Sequence, residues 1–319
     1  MALDPHPLYP DLEARESGML KVDDTHSLAW WRVGNPKGVP AVFLHGGPGG
    51  STRRPVRRIY DPDFYDVLLF DQRGAGQSVP NAELKDNTPQ HLVADIERLR
   101  EHFGVDRWLV SGGSWGSTLA MLYAIAHPER CRGLMMHGIS LGDHENIEFW
   151  FNGIGNTFPD AWQEFAEFIP EAERGDLLAA YHRRVTNPDP AVCVSAAVAL
   201  RTYSGRTQSF NATDASVSAL LAPELCVPLA RLFTHYSMNR HFLPENHILD
   251  NLHRFRHLPC VIVQGRYDVV TRPLIAWRLK QAWPEAELHM VTEAGHNASE
   301  SPLAETLCAA HERMKFLMR

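Results

Sequence analysis

Cysteine is scarce in this chain of 319 residues: five, widely spaced at positions 131, 193, 226, 260 and 308, with no C-x-x-C pair. An odd, scattered set excludes a disulfide framework and fits a reducing, cytoplasmic setting. Long apolar runs are missing too; none approaches the roughly 20 residues that cross a bilayer. The opening MALDPHPLYP has neither a basic nor an apolar stretch, so no secretory signal is read there. Basic charge is in deficit: 31 Lys and Arg stand against 38 Asp and Glu, a net charge of −7. That balance excludes the electrostatic footprint of a nucleic-acid-binding surface. Low-complexity tracts and internal repeats are absent, which sets aside disordered and solenoid architectures. Five late histidines, His235, His241, His247, His253 and His257, have no spacing of the H-E-x-x-H kind and no completing carboxylate, so no metal or other cofactor is expected.

What is present is a rhythm. Residues 18–33 alternate as an early hairpin would. Short apolar runs follow, each closed by glycine or a polar turn: AVFLHGG (41–47), VLLFDQRG (67–74), WLVSGGS (108–114) and GLMMHGI (133–139). Helical patterns lie between them, notably 88–104, with a Thr cap, a first-turn Pro and a terminal Gly, and 117–130. Continuous apolar runs alternating with helices predict parallel strands buried on both faces. The rhythm stops near residue 143 and gives way to helical stretches. It resumes with LPCVIVQGRYD (258–268), a helix over 274–283, AELHMVTEAGH (286–296) and a last helix near 302–317. The fold class is therefore α/β: a mostly parallel central sheet with helices on both faces. Residues 1–142 form its first part, 143–250 a helical cap, and 251–319 its second part. In such sheets the site lies at the carboxyl ends of the strands, where every glycine-bearing motif above falls.

Gly112-Gly113-Ser114-Trp115-Gly116 matches G-x-S-x-G, with a strand before it and a helix after. Small neighbours let a nucleophilic serine sit on a strained strand-to-helix turn. The plain alternative is a tight turn with an inert serine. A nucleotide phosphate loop is excluded, because no Gly-Lys-Ser/Thr is present. A dinucleotide fingerprint fails because Thr52 stands where its last glycine belongs. A serine hydroxyl needs a base, itself oriented by a carboxylate. In α/β-hydrolases the chain order is Ser, acid, His. Asp268 in GRYDVV and His296 in EAGHNA both follow the cap, in that order and each past a strand end. The tetrahedral oxyanion needs donors as well: the N–H of Trp115 and an N–H from HGGPGG (45–50), Gly47 first and Gly46 second.

Together HGGPGG, FDQRGAGQS, GGSWGSTLA, GRYDVV and AGH resemble the proline iminopeptidases, a branch of the α/β-hydrolase fold, over nearly the whole chain. The resemblance implies a cytoplasmic, metal-free serine peptidase that releases an N-terminal residue, usually proline, through an acyl-enzyme. It carries the nucleophile to Ser114, the acid to Asp268 and the base to His296. It also implies cap glutamates that bind the charged α-amine, and here the chain departs. A stretch like WEGRT reads YSGRT, placing Ser204, beside Tyr203, at a glutamate position, and both are expected in the substrate-binding site. A stretch like ARIE-HY reads ARLFTHY, placing Phe233 at the other. Ser140 stands where an aromatic commonly follows GI. A buried ammonium without a carboxylate costs several kcal/mol, about the penalty left after relaxation. These departures predict a serine hydrolase whose amine recognition is altered or relaxed. The alternative is an amidase, esterase or acyltransferase acting on a substrate without a free α-amine; a hydrolase-like binding protein is the non-enzymatic rival.

The basic cluster STRRPVRR (51–58) reads first as a solvated surface, and second as a place where Arg53 or Arg54 attracts an acidic substrate. Trp150, Trp162, Phe149, Phe151, Phe158 and Phe165 are expected in the cap core, with lining of an apolar acyl pocket as the alternative role for some of them. Asp71 and Arg73 are expected to brace the turn after a strand. The expected partner is a small molecule or short peptide, with neither nucleic acid nor membrane.

Overall fold

A computed structural model describes residues 3–318. The hairpin at the start is β1 (Glu16–Lys21) and β2 (Ser27–Gly34), paired antiparallel from Glu16 opposite Arg32 to Lys21 opposite Ser27. β3 (Val39–Leu44) and β4 (Tyr65–Phe70) follow, then β5 (Trp108–Ser114) and β6 (Cys131–Ile139). β7 (Cys260–Gly265) and β8 (Glu287–Val291) complete a sheet in the order β1-β2-β4-β3-β5-β6-β7-β8. From β4 to β8 every neighbouring pair is parallel. β4 and β7 are buried at every residue, as strands covered on both faces must be, whereas edge strand β1 alternates between exposed and half-buried.

Strand side chains alternate between two cores. Val42, Leu44, Val110 and Met136 pack with Leu92, Leu119 and Leu279 from α1 (Pro89–His102), α2 (Trp115–Ala126) and a later helix (Pro273–Ala282). Ala41, Phe43, Leu109 and Met135 pack with Leu307, Ala310 and Met314 of the last helix (Leu303–Leu317) on the other face. The period of two along each strand thus becomes a three-layer arrangement. One local expectation is amended. Thr88 does occupy the position before α1, but its hydroxyl bonds His91 Nδ1 at 2.9 Å instead of capping a backbone N–H.

Between β6 and β7 the chain runs through helices alone among the described residues: α3 (His144–Glu148), α4 (Pro159–Glu167), α5 (Leu177–Val185), α6 (Pro190–Gln208), α7 (Asp214–Ser218), α8 (Pro223–Met238) and α9 (His247–Asp250). Asp176 and Asp189 cap α5 and α6 by accepting from Ala179 N–H and Ala191 N–H. This region has its own core, in which the Phe165 ring stacks on Tyr181 and on Tyr203 with centroids 4.4 Å apart. Val270, just past β7, belongs to the same cluster and ties the helices to the sheet. The parallel strands end on one rim, and there the helices of the insertion cover a cavity.

Candidate active site

β5 ends at Ser114, and α2 begins one residue later. The reversal is made at Ser114 itself, with φ 57° and ψ −127°. A non-glycine residue in that region is strained, and such strain collects where a side chain must be held for use. A Cβ on Gly46 would lie only 3.2 Å from Ser114 Cβ, so the 45–50 loop passes directly against the serine because residue 46 has no side chain. The N–H groups of Gly46 and Gly47 have no acceptor among the described residues. The N–H of Trp115, at the first position of α2, is among the donors a helix leaves open. Free donors therefore flank the serine on two sides.

Asp268 lies three residues past β7 and is buried. Its Oδ1 accepts from the N–H groups of Val270 and Thr271, at 2.9 and 2.8 Å. Its Oδ2 accepts from Gln264 Nε2 at 3.1 Å, from Thr271 Oγ1 at 2.8 Å and from His296 Nδ1 at 2.8 Å. The carboxylate is held from all sides, and its bond to Nδ1 directs Nε2 of His296 to serve as the acceptor. The His296 ring packs on Gly138, where a Cβ would come within 3.2 Å of its Cε1. The next residue along β6, Ile139, is the register partner of Ser114. Serine, aspartate and histidine thus stand at or past the ends of β5, β7 and β8 on one rim of the sheet, with β6 between the first two. Ser114 makes no hydrogen bond to His296 here, a contact that commonly tightens only around substrate.

Ser114 and His296 both line a cavity of about 250 Å³ between the sheet rim and the inserted helices. Gly46, Gly47, Ser204 and Phe233 line it as well, and Ser140 lines an adjoining recess of about 50 Å³ that also touches Ser114, Trp115 and Phe233. Phe233 packs against Trp150, 4.6 Å between centroids. The structure does not bring Tyr203 to either space. Its ring is stacked in the core of the insertion and its hydroxyl donates to the Trp150 carbonyl at 3.1 Å. The two arginines part company. Arg53 lines the cavity, while Arg54 lies on the outer surface and is paired with Asp11 and Glu13 at 2.5 Å.

Several residues that hold the site were not singled out from the sequence. Gln72 donates to the His45 carbonyl at 2.8 Å and accepts from Trp115 Nε1 at 3.0 Å, tying the 45–50 loop to the helix after the serine. His45 Nδ1 donates to the Gly46 carbonyl at 2.8 Å while its Nε2 accepts from Gln72 N–H at 2.9 Å. Burial lowers the His45 pKa, keeping the ring in this neutral form. His137 lines the cavity, and burial with His296 nearby lowers its pKa to about 4. Gln72 stands inside DQRG, so its motif was visible though its job was not. Asp71 and Arg73 brace that motif: Asp71 accepts from Thr52 and Gln77 N–H at 2.7 and 2.8 Å, and Arg73 Nη2 donates to buried Asp95 at 2.7 Å.

A serine on a strained strand–helix turn, followed in the chain by an aspartate and a histidine bonded to each other, is the arrangement of the α/β hydrolases. The family model described as alpha/beta hydrolase fold matches residues 40–302. A proline iminopeptidase of Arabidopsis thaliana is 46% identical over 98% of this chain and 83% of its own length. One from Xanthomonas citri is 44% identical over 95% of this chain and 97% of its own. The chain belongs to the proline iminopeptidase family of α/β hydrolases. It is an enzyme of the serine-hydrolase type. A solved structure of a proline iminopeptidase from Mycobacterium smegmatis superimposes with a TM-score of 0.62 at 18% identity, over 95% of this chain and 99% of that one, which shows the shared fold. Among the described residues no helix is long and apolar enough to cross a membrane.

Proposed function

We propose that Ser114 attacks the carbonyl carbon of a small amide or ester while His296 takes its proton. Asp268 holds the imidazole in the right tautomer and stabilises the imidazolium that forms. The N–H groups of Trp115 and Gly47, with Gly46 beside them, receive the oxyanion. His296 then protonates the leaving amine or alcohol, leaving an acyl-enzyme that water opens by the same relay. Residues 143–250 act as the cap, and residues 1–142 and 251–319 as the catalytic core. The relatives' names make release of an N-terminal prolyl or aminoacyl group the starting expectation for the substrate. The substrate is then a small molecule or short peptide, the enzyme is cytoplasmic, and neither nucleic acid nor membrane takes part.

A single observation modifies that expectation: among the described residues, no Asp or Glu lines the cavity that holds Ser114 and His296. Ser204 is engaged with Arg201, and Phe233 with Trp150. An α-ammonium drawn into this space would be desolvated with no carboxylate to meet it. Amine recognition is therefore altered, and the same observation favours a second reading, an amidase, esterase or acyltransferase that works on blocked or amine-free acyl groups. A panel crossing free with blocked amines, and amides with esters, tests this. The expected kcat/KM for prolyl-β-naphthylamide lies below that for its N-acylated or amine-free analogues. A strong preference for the free amine contradicts the altered recognition and returns the enzyme to ordinary iminopeptidase action.

A further inference from the structure

The cavity lacks carboxylates but not charge. Arg201, on α6, is only 4% exposed and lines it. Of its guanidinium nitrogens only Nη1 is engaged, and only with neutral acceptors: Ser204 Oγ at 2.9 Å and Gln208 Oε1 at 3.4 Å. Arg53, at the end of the 45–53 segment, lines the same cavity from the core side, and its side chain makes no hydrogen bond or ion pair among the described residues. The two are close enough to repel: burial, then Arg53, lowers the Arg201 pKa to about 10. Both also line an adjoining recess of about 30 Å³ with Glu224, yet neither forms an ion pair with it within 4.0 Å. Arg53 is exposed to solvent, whereas Arg201 is buried beside the cavity.

A buried guanidinium with no counter-ion, with a second positive charge near it, is costly unless something anionic joins them. Ordinary surface arginines show the contrast next door, since Arg54 has two carboxylates of its own. Planar guanidiniums with open N–H donors match the forked oxygens of a carboxylate or phosphate. We propose that Arg53 and Arg201 bind an oxyanion group of the substrate, a carboxylate or a phosphate, so that the enzyme acts on acidic amides or esters. The inference rests on Ser114 being the nucleophile of this same cavity. It assigns Arg53 and Arg201 a specificity role that the acyl-transfer relay does not use.

The test compares matched pairs of esters at low salt. 1-Naphthyl monoglutarate against 1-naphthyl valerate places the charge on the acyl side. 4-Carboxyphenyl and 4-phosphonooxyphenyl acetate against phenyl acetate place a carboxylate or a phosphate on the leaving side. At least one charged member is expected to exceed its neutral partner by about 100-fold in kcat/KM, the arm that responds naming the group and its side. Arg201→Gln and Arg53→Gln should each cut that ratio about tenfold or more, and Arg54→Gln should leave it alone. Arg53→Gln, on the accessible side, keeps the test valid if Arg201→Gln does not fold. Ratios within about threefold of one in every arm, or a preference that survives in both variants, overturn the proposal. Failure of the hydrolase reading looks different: no ester of either charge is turned over. In that event a thermal shift of the whole protein with glutarate and with inorganic phosphate decides the anion site. A rise in Tm lost in Arg53→Gln supports it, and no rise with either ion overturns it.

Discussion

The floor of the cavity comes from turns that follow β3, β5 and β8, while its roof comes from side chains of α6 and α8. On the floor, position is set by turns and by a dense hydrogen-bond network: the bend at Ser114, the close passage of Gly46, and five hydrogen bonds on Asp268, two from backbone N–H groups and three from side chains. On the roof, Ser204 and Phe233 are placed by packing among helices, and their chemistry follows from what stands next to them. The difference teaches that one fold can keep a reaction and change its substrate. A floor fixed by short turns tolerates little variation, but a helix facing a cavity accepts any side chain of fitting size.

Breaking the floor should therefore cost more than changing the roof. Asp268→Asn keeps the shape but presents the wrong donor to His296 Nδ1, and kcat should fall about 10,000-fold with KM little changed. Steady-state kinetics on the best ester checks this; a loss under about tenfold would mean the carboxylate does not orient the base. On the roof, Phe233→Glu returns a carboxylate to the cavity lining. It should raise kcat/KM for prolyl-β-naphthylamide by about tenfold or more while lowering it for acidic esters. No gain for the free amine would show that the roof does not set amine recognition.

The smallest expected effect is on stability, and both regions share it. His137 on the floor and His241 below the roof are buried with pKa values lowered to about 4, chiefly by desolvation, and His311 under the sheet to about 3. Unfolded histidines titrate near 6.5, so between that pH and about 4 the unfolded chain binds more protons. The contribution of these rings is complete above pH 6.5 and is lost as pH falls toward 4. Thermal melts should show Tm dropping by several degrees, about 5 °C or more, from pH 7 to pH 5. A flat profile would mean these rings are protonated in the fold.

The same contrast explains what was legible in the sequence. Apolar runs of the right length announced the parallel strands, because strands covered on both faces cannot carry alternating polar residues. HGGPGG, GGSWGS, GRYD and AGH stood out because a sharp turn after a strand tolerates few residue types. Gln72 and Thr271 were not read as parts of the site, since a glutamine or threonine that holds another side chain looks like any other until the fold brings partners together. Tyr203 stands next to Ser204 in the sequence, yet one step along α6 turns a side chain by about 100°, and its ring belongs to the helical core, not the substrate site. Arg53 and Arg54 are adjacent in the chain, and only tertiary structure separates the one at the cavity from the one on the surface.

The central claim is that Ser114 is a hydroxyl made reactive by His296 and Asp268. Mass spectrometry of the intact protein and its peptides after treatment with a fluorophosphonate measures this directly. The account predicts one adduct, on the peptide carrying Ser114, lost in Ser114→Ala and slowed by orders of magnitude in His296→Ala. An unmodified Ser114, or labelling that persists on another residue in Ser114→Ala, would contradict it.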